Sequence, residues 1–179
     1  SYIKGDMHME KNCLSYWFPK IEAAGLPVPE TRIIRTEIEL SLILDGKCPD
    51  GYADFLLRLL DAAREIGLPC FLRTGHGSNK HAWKDSCFVT DLDRLDEHVF
   101  NLVEWSANAD ASHFPWLPRL RTNVWVVRKL IPARPLFHAF RGRMPIVREF
   151  RFFVREWMVE HVQPYWPPES IELPDVPDW

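Results

Sequence analysis

Apolar positions recur at helical spacing in some stretches of the chain and alternate or cluster in others, and the two patterns predict different elements. In residues 11–24, Leu14, Trp17, Phe18 and Ile21 share one side, which predicts a short helix with Gly25 placed to stop it. Pro19 strains the middle of such a helix, so the first part reads as a turn and the second as a new helix starting near Pro19. An extended exit, Gly25-Leu26-Pro27-Val28-Pro29-Glu30-Thr31, leads into a strand over residues 32–37. Asp50 is the expected cap of a long helix over residues 51–66, in which Phe55, Leu56, Leu59, Leu60, Ala63 and Ile66 form one stripe and Gly67 marks the stop.

That helix feeds a strand, Gly67-Leu68-Pro69-Cys70-Phe71-Leu72-Arg73, then a small-residue loop and a second apolar run ending at Val89. Thr90 or Asp91 opens the next helix, with Leu92, Leu95, Val99, Leu102 and Val103 as its stripe and Asp91, Asp93, Asp96 and Glu97 at its positive end. Residues 108–121, with Trp116 between Pro115 and Pro118, read as an irregular loop. Val124-Trp125-Val126-Val127 is a buried strand that continues through Arg128 to a turn at Pro132 and Pro135. Residues 146–154 alternate as one strand, with Val147, Glu149, Arg151 and Phe153 on one face and Arg148, Phe150, Phe152 and Val154 on the other. The chain turns at residues 155–157 and returns over 158–163. The proline-rich tail, residues 164–179, is expected to lie over the surface.

At 179 residues and 46% hydrophobic, the chain can bury one sizeable core or two small lobes sharing a cleft. The net charge of −3 disfavours a protein that holds nucleic acid by bulk electrostatics, so any anion site must be local. The eight tryptophans read as core before they read as stacking platforms for bases. Cys13, Cys48, Cys70 and Cys87 show no close pair and lie in or beside apolar runs, as reduced thiols of a cytoplasmic protein would. No apolar run approaches the roughly 20 residues that span a bilayer, and the start lacks the basic-then-apolar pattern of a signal peptide, so a soluble protein with no membrane partner is expected. The His8-Met9 pair reads as a cloning junction, and residues 1–10 are set aside as a remnant or flexible start. The histidines show no metal-ligand spacing with acids or cysteines.

Three kinds of group make the loop between the strand at Cys70 and the run at Val89 a candidate phosphate-binding hairpin. Gly75 and Gly77 would let the backbone adopt positive φ, so that successive N–H groups form an anion nest. Arg73, Lys80 and Lys84 would supply positive charge around it, with Ser78 between them. An ordinary hairpin with solvated lysines explains the same composition equally well. Glu149 and Arg151 project the same way from one strand, roughly 7 Å apart, as either a site or a cross-strand ion pair.

The order of these pieces resembles an ATP-grasp protein. Gly25-Leu26-Pro27-Val28-Pro29-Glu30-Thr31 resembles the lead into that family's nucleotide-binding unit, and Gly67 through Arg73 its phosphate-side strand. Gly75 through Lys84 resembles its flexible triphosphate loop, and Val126 through Pro132 the hinge that holds adenine. Arg73 stands where the family usually has lysine, and Arg128 where the hinge is usually acidic. With Lys80-His81-Ala82-Trp83-Lys84-Asp85 and Arg148-Glu149-Phe150-Arg151-Phe152-Phe153, the chain is similar to the divergent phage and bacterial group marked by one arginine and two lysines. It also resembles a related assembly factor for a translation initiation complex.

The resemblance implies an α+β fold of two lobes with a nucleotide cleft between them. Its segments would be an N-terminal α/β part at 11–66, a phosphate-side lobe at 67–123, hinge and antiparallel strands at 124–163, and the tail. The implied activity is ATP-dependent carboxylate–amine ligation through an acyl-phosphate, with ATP and Mg2+ as cofactors and an unknown carboxylate or peptide as substrate. Arg73, Gly75, Gly77, Ser78, Lys80 and Lys84 would hold the phosphates, and Lys129, Leu130 and Ile131 the adenine. Arg151, Lys84 and Glu149 would be catalytic. The family's metal-binding acids, on strands after the Glu/Arg strand, have no match before Trp179, and Asp175 and Asp178 are poor substitutes, so the expectation is either a fragment or a molecule that lacks part of the catalytic apparatus, and the metal ligands stay unassigned. A non-catalytic nucleotide-binding assembly factor, docking through Pro164-Tyr165-Trp166-Pro167-Pro168, is the alternative reading. An RNA-end enzyme, suggested by Arg141, Arg143 and Arg148, is the third.

Overall fold

The most apolar strand of the chain becomes the middle of a sheet. A computed structural model describes residues 11–112, 120–139 and 144–166, and expectations for residues outside those ranges, the tail past Trp166 included, lie outside the described residues. The chain divides into two compact units, Ser1–Ile131 and Pro132–Trp179, and its fold is mixed α+β with antiparallel sheets.

The described elements of the first unit are α1 (Leu14–Ala23), β1 (Thr31–Arg35), α2 (Tyr52–Ile66), β2 (Cys70–Thr74), β3 (Phe88–Val89), α3 (Leu95–Ser112) and β4 (Val124–Lys129). The strands form one sheet in the order β1-β4-β2-β3, each neighbour antiparallel. Alternation along β4 sends Trp125 and Val127 to one face and Val124, Val126 and Arg128 to the other. On the first face, Phe55, Leu59 and Ile66 of α2 and Val99, Leu102 and Val103 of α3 close a core with Leu72, Val89, Trp125 and Val127. The Trp125 ring meets Phe55 edge-on with centroids 5.5 Å apart, and its indole N–H donates to the Thr122 carbonyl at 2.7 Å, so its polar atom is satisfied inside the core. On the second face, Leu14 and Phe18 of α1 pack with Cys13, Val124 and Val126.

Four boundaries differ from the sequence expectation. α1 runs unbroken through Pro19, because Leu14 and Phe18, spaced i and i+4 before it, are both buried against the sheet and Gly25 then ends the helix with φ +71°. Asp50 does not cap α2: the N-cap is Gly51, left-handed at φ +79°, and no side chain bonds there. A 3-10 turn, Leu92–Arg94, precedes α3 and is capped by the Asp91 carboxylate, which accepts the Asp93 N–H at 3.0 Å. α3 itself continues to Ser112, past the expected end near residue 107. The stripe hid this extension, because its next buried position is Ser106, whose hydroxyl donates to the Leu102 carbonyl at 2.8 Å.

The second unit, as described, is two hairpins: β5 (Phe137–Ala139) with β6 (Met144–Ile146), and β7 (Phe150–Arg155) with β8 (Met158–Pro164). The single strand expected over residues 146–154 is broken at 147–149, because Ile146 pairs back to Phe137 whereas Phe150 pairs forward to Pro164. The β7–β8 turn falls at Glu156 and Trp157, as expected, and both residues are left-handed, at φ 47° and 69°. One face of this hairpin carries Phe150, Phe152, Val154, Val159 and Val162 at register-paired positions, all of them exposed, and Trp157 at the tip is 100% exposed. Among the described residues no helix is long and apolar enough to cross a membrane.

Candidate functional site

The second face of the first unit's sheet carries the charge. Register places Phe71 and Arg73 of β2, Val126 and Arg128 of β4, Ile33 of β1 and Phe88 of β3 on that side. α1 covers the β1–β4 half through Leu14 and Phe18. Trp83 covers the β3 end: it stacks on Phe88 with centroids 5.4 Å apart and planes at 18°, and lies 5.6 Å from Phe71. Arg128 stands between the two covers, its guanidinium over the Phe18 ring at 5.2 Å and Phe71 as its cross-strand neighbour. Arg73 is half-buried on the same face, and its Nε donates to the Thr74 carbonyl at 2.9 Å.

Neither Gly75 nor Gly77 has positive φ, and no nest forms. Thr74 is the reason. Its hydroxyl oxygen accepts the His76 and Gly77 N–H groups at 3.3 and 3.0 Å, while the Gly75 N–H goes to the Val124 carbonyl at 2.8 Å. Three successive donors are thus committed within the protein. The glycines serve close packing instead, since a Cβ on Gly75 would overlap Cys13 Sγ and press on Val124, and one on Gly77 would overlap the Trp105 ring.

The loop after it is wound around Ser86. The buried Ser86 hydroxyl lies 2.7 Å from the Asn79 carbonyl and 2.8 Å from that of Ala82, and Asn79 takes the left-handed conformation at φ 47° that asparagine tolerates. The Ser86 carbonyl in turn accepts from Nδ1 of His98 on α3 at 3.0 Å, so Nδ1 carries the hydrogen. The stretch expected to be a flexible lid is therefore tied at its base to the core helix. Lys80 opens a 3-10 turn, Lys80–Ala82, and is half-buried, as is Ser78, while Lys84 is exposed. Burial pushes the Cys87 thiol up to about 12, although the Ser86 bond and the charges of Lys80 and Arg73 pull the other way. Lys80 and Arg73 thus act electrostatically on one common group.

Burial pushes the His98 pKa down, with Arg94 adding to this; the bond to Ser86 and the charges of Asp85 and Glu97 oppose it. The sign of the pH effect follows. A histidine depressed in the fold contributes stability that is complete above its ordinary value of about 6.5 and lost as pH falls through the folded value. Chemical denaturation followed by far-UV circular dichroism should show stability falling as pH drops below 6.5. His98→Gln should flatten that slope.

The remaining residues of the expected site fall into two groups. Lys129 ends β4, exposed, with its N–H given to the Glu30 carbonyl at 2.8 Å; Leu130 is half-buried and Ile131 is 65% exposed. Glu149 and Arg151 belong to the second unit. There the Glu149 carbonyl accepts the Tyr165 N–H at 2.9 Å, and Arg151 lies over the Tyr165 ring at 4.1 Å. Arg155, not Arg151, pairs with a strand acid: its Nε lies 2.8 Å from Glu160. Sequence reasoning passed over Arg128, Phe71, Phe88 and Trp83. The signal was the i, i+2 spacing of Phe71 with Arg73 and of Val126 with Arg128, which puts them on one face of neighbouring strands.

Among the described residues, no group of three histidine, cysteine or acidic side chains could hold a metal ion. No family model matches the chain, and no curated protein and no solved structure matches it.

Proposed function

We propose that the chain binds a nucleoside triphosphate, ATP in the ATP-grasp reading, on the second face of the first unit's sheet. One observation carries the reading: Arg73 and Arg128 share that face with the Phe71–Trp83–Phe88 cluster, so fixed positive charge adjoins an apolar, aromatic surface. Phosphates require the first and a purine the second. The backbone contributes no nest, so side-chain cations carry the whole electrostatic load. Mg2+ belongs to the chemistry of ATP-grasp ligases, but the described carboxylates do not form a set that fits it, and no step is assigned to it.

The β7–β8 hairpin favours a second reading, a nucleotide-dependent assembly module, because its exposed Phe152, Val154 and Trp157 suit a protein partner. ATP turnover separates the two. For the binding step, saturating ATP should raise the melting temperature of the wild type, and about 2.7 kcal/mol of stabilisation is expected at one hundred times Kd. Arg73→Ala should abolish that protection. Equal protection of the variant would remove Arg73 from the site, and none in the wild type would end the nucleotide reading.

A further inference from the structure

Arg128 is a cation that the fold half-buries and does not balance. Its Nε is inaccessible and has no hydrogen-bond partner among the described residues. Burial lowers its pKa, and no carboxylate among the described residues offsets the cost of desolvation. Four other arginines are balanced by acids: Arg32 pairs with Glu30 and Glu65, Arg64 with Asp61, Arg94 with Glu97 and Arg155 with Glu160. Phe18 beneath the guanidinium gives some compensation, but a ring face offers no lone pair to an N–H. A second cation, Arg73, stands near. It is paired with Val126 while Arg128 is paired with Phe71, so the two arginines are diagonal neighbours on one face, their Cβ atoms about 7 Å apart.

We infer that Arg128 is an oxyanion-binding residue: its half-buried guanidinium, over the Phe18 ring, takes a phosphate or carboxylate group that Arg73 helps to neutralise. The chemistry fits the group. A guanidinium presents N–H groups side by side at the spacing of two oxygens of a carboxylate or phosphate, and the resulting charge-assisted pair is the strongest the side chain makes. Neither a lysine nor a backbone donor offers that fork. The inference goes beyond the nucleotide reading, because it assigns a role to a residue to which the resemblance gave none and requires only an oxyanion.

The test uses the whole chain and three probes, pyrophosphate, ATP and succinate, in thermal melts followed by circular dichroism at 222 nm. At least one probe should raise the melting temperature of the wild type saturably, and Arg128→Met should weaken that probe at least about tenfold. Methionine keeps the apolar stem and drops the unbalanced charge, so without probe Arg128→Met should melt no lower than the wild type. A variant that fails to fold, or that melts well below the wild type, overturns the claim that the charge is unbalanced. A wild type that responds to none of the probes, or a variant that responds fully, overturns the oxyanion site. The probes also separate the two readings. Full ATP protection in Arg128→Met sinks this inference and leaves the nucleotide reading standing. Pyrophosphate or succinate protection through Arg128, with ATP inert, does the reverse.

Discussion

Trp125→Ala should destabilise the first unit by about 3–5 kcal/mol, the range for deleting a large aromatic from a closed core. The site gives no room for collapse. Trp125 is 0% exposed at the middle of β4, flanked by β1 and β2 and covered by Phe55. Truncation also strands the Thr122 carbonyl, which accepts the indole N–H. With ordinary domains stable by about 5–15 kcal/mol, a loss of this size leaves the unit marginal. All three described α-helices lie in the first unit, so ellipticity at 222 nm in a urea titration reads that unit by itself, which matters where two units need not unfold together. Trp125→Phe keeps most of the ring and should cost much less. An alanine variant within about 1 kcal/mol of the wild type would mean that the core is not packed as described.

Gly75→Ala should also destabilise the protein, by about 1–3 kcal/mol, which is the range for overpacking a closed site. The new methyl meets Cys13 Sγ and stands 3.0 Å from the Val124 Cβ, and neither neighbour can yield cheaply. Val124 belongs to the central strand, and Cys13 precedes α1, whose first N–H donates to the Gly75 carbonyl at 2.8 Å. Because Cys13 is the nearer obstacle, Cys13→Ala should rescue part of the loss in the double variant. The pair of variants also tests why the glycine is there. A spacer predicts lost stability with rescue, whereas a backbone nest predicts unchanged stability with weaker anion binding.

Legibility followed period and failed where polar atoms do structural work. α2 and β4 were plain because their buried positions are all apolar, so spacing alone identified them. The turn and return strand of the β7–β8 hairpin were legible although its strands are exposed, but the alternation over residues 146–154 ran two strands together and hid the break at 147–149. Ser106 is buried like the apolar stripe of α3 but is polar, so the stripe ended at Val103 and did not show that the helix runs past residue 107. The glycine loop was misread for a related reason. Gly75 and Gly77 signal that something needs space, but composition does not say whether an anion or a tryptophan fills it, and Thr74, which takes the donors, carried no signal. Arg128 was visible in the sequence as an oddity in a strand. Only the pairing register shows that it shares a face with Arg73.

The sheet order has a bearing on synthesis. The strand that joins β1 to β2 is β4, the last described strand of the first unit to leave the ribosome, and among the described residues β1 pairs with no other strand. Until residues 124–129 emerge, β1 waits with an open edge and the apolar sides of α1 and α2 have no complete surface to meet. The nascent chain therefore carries exposed strand and helix faces from the synthesis of β1 to that of β4, and chaperone demand should centre on that interval rather than on the hairpins that follow.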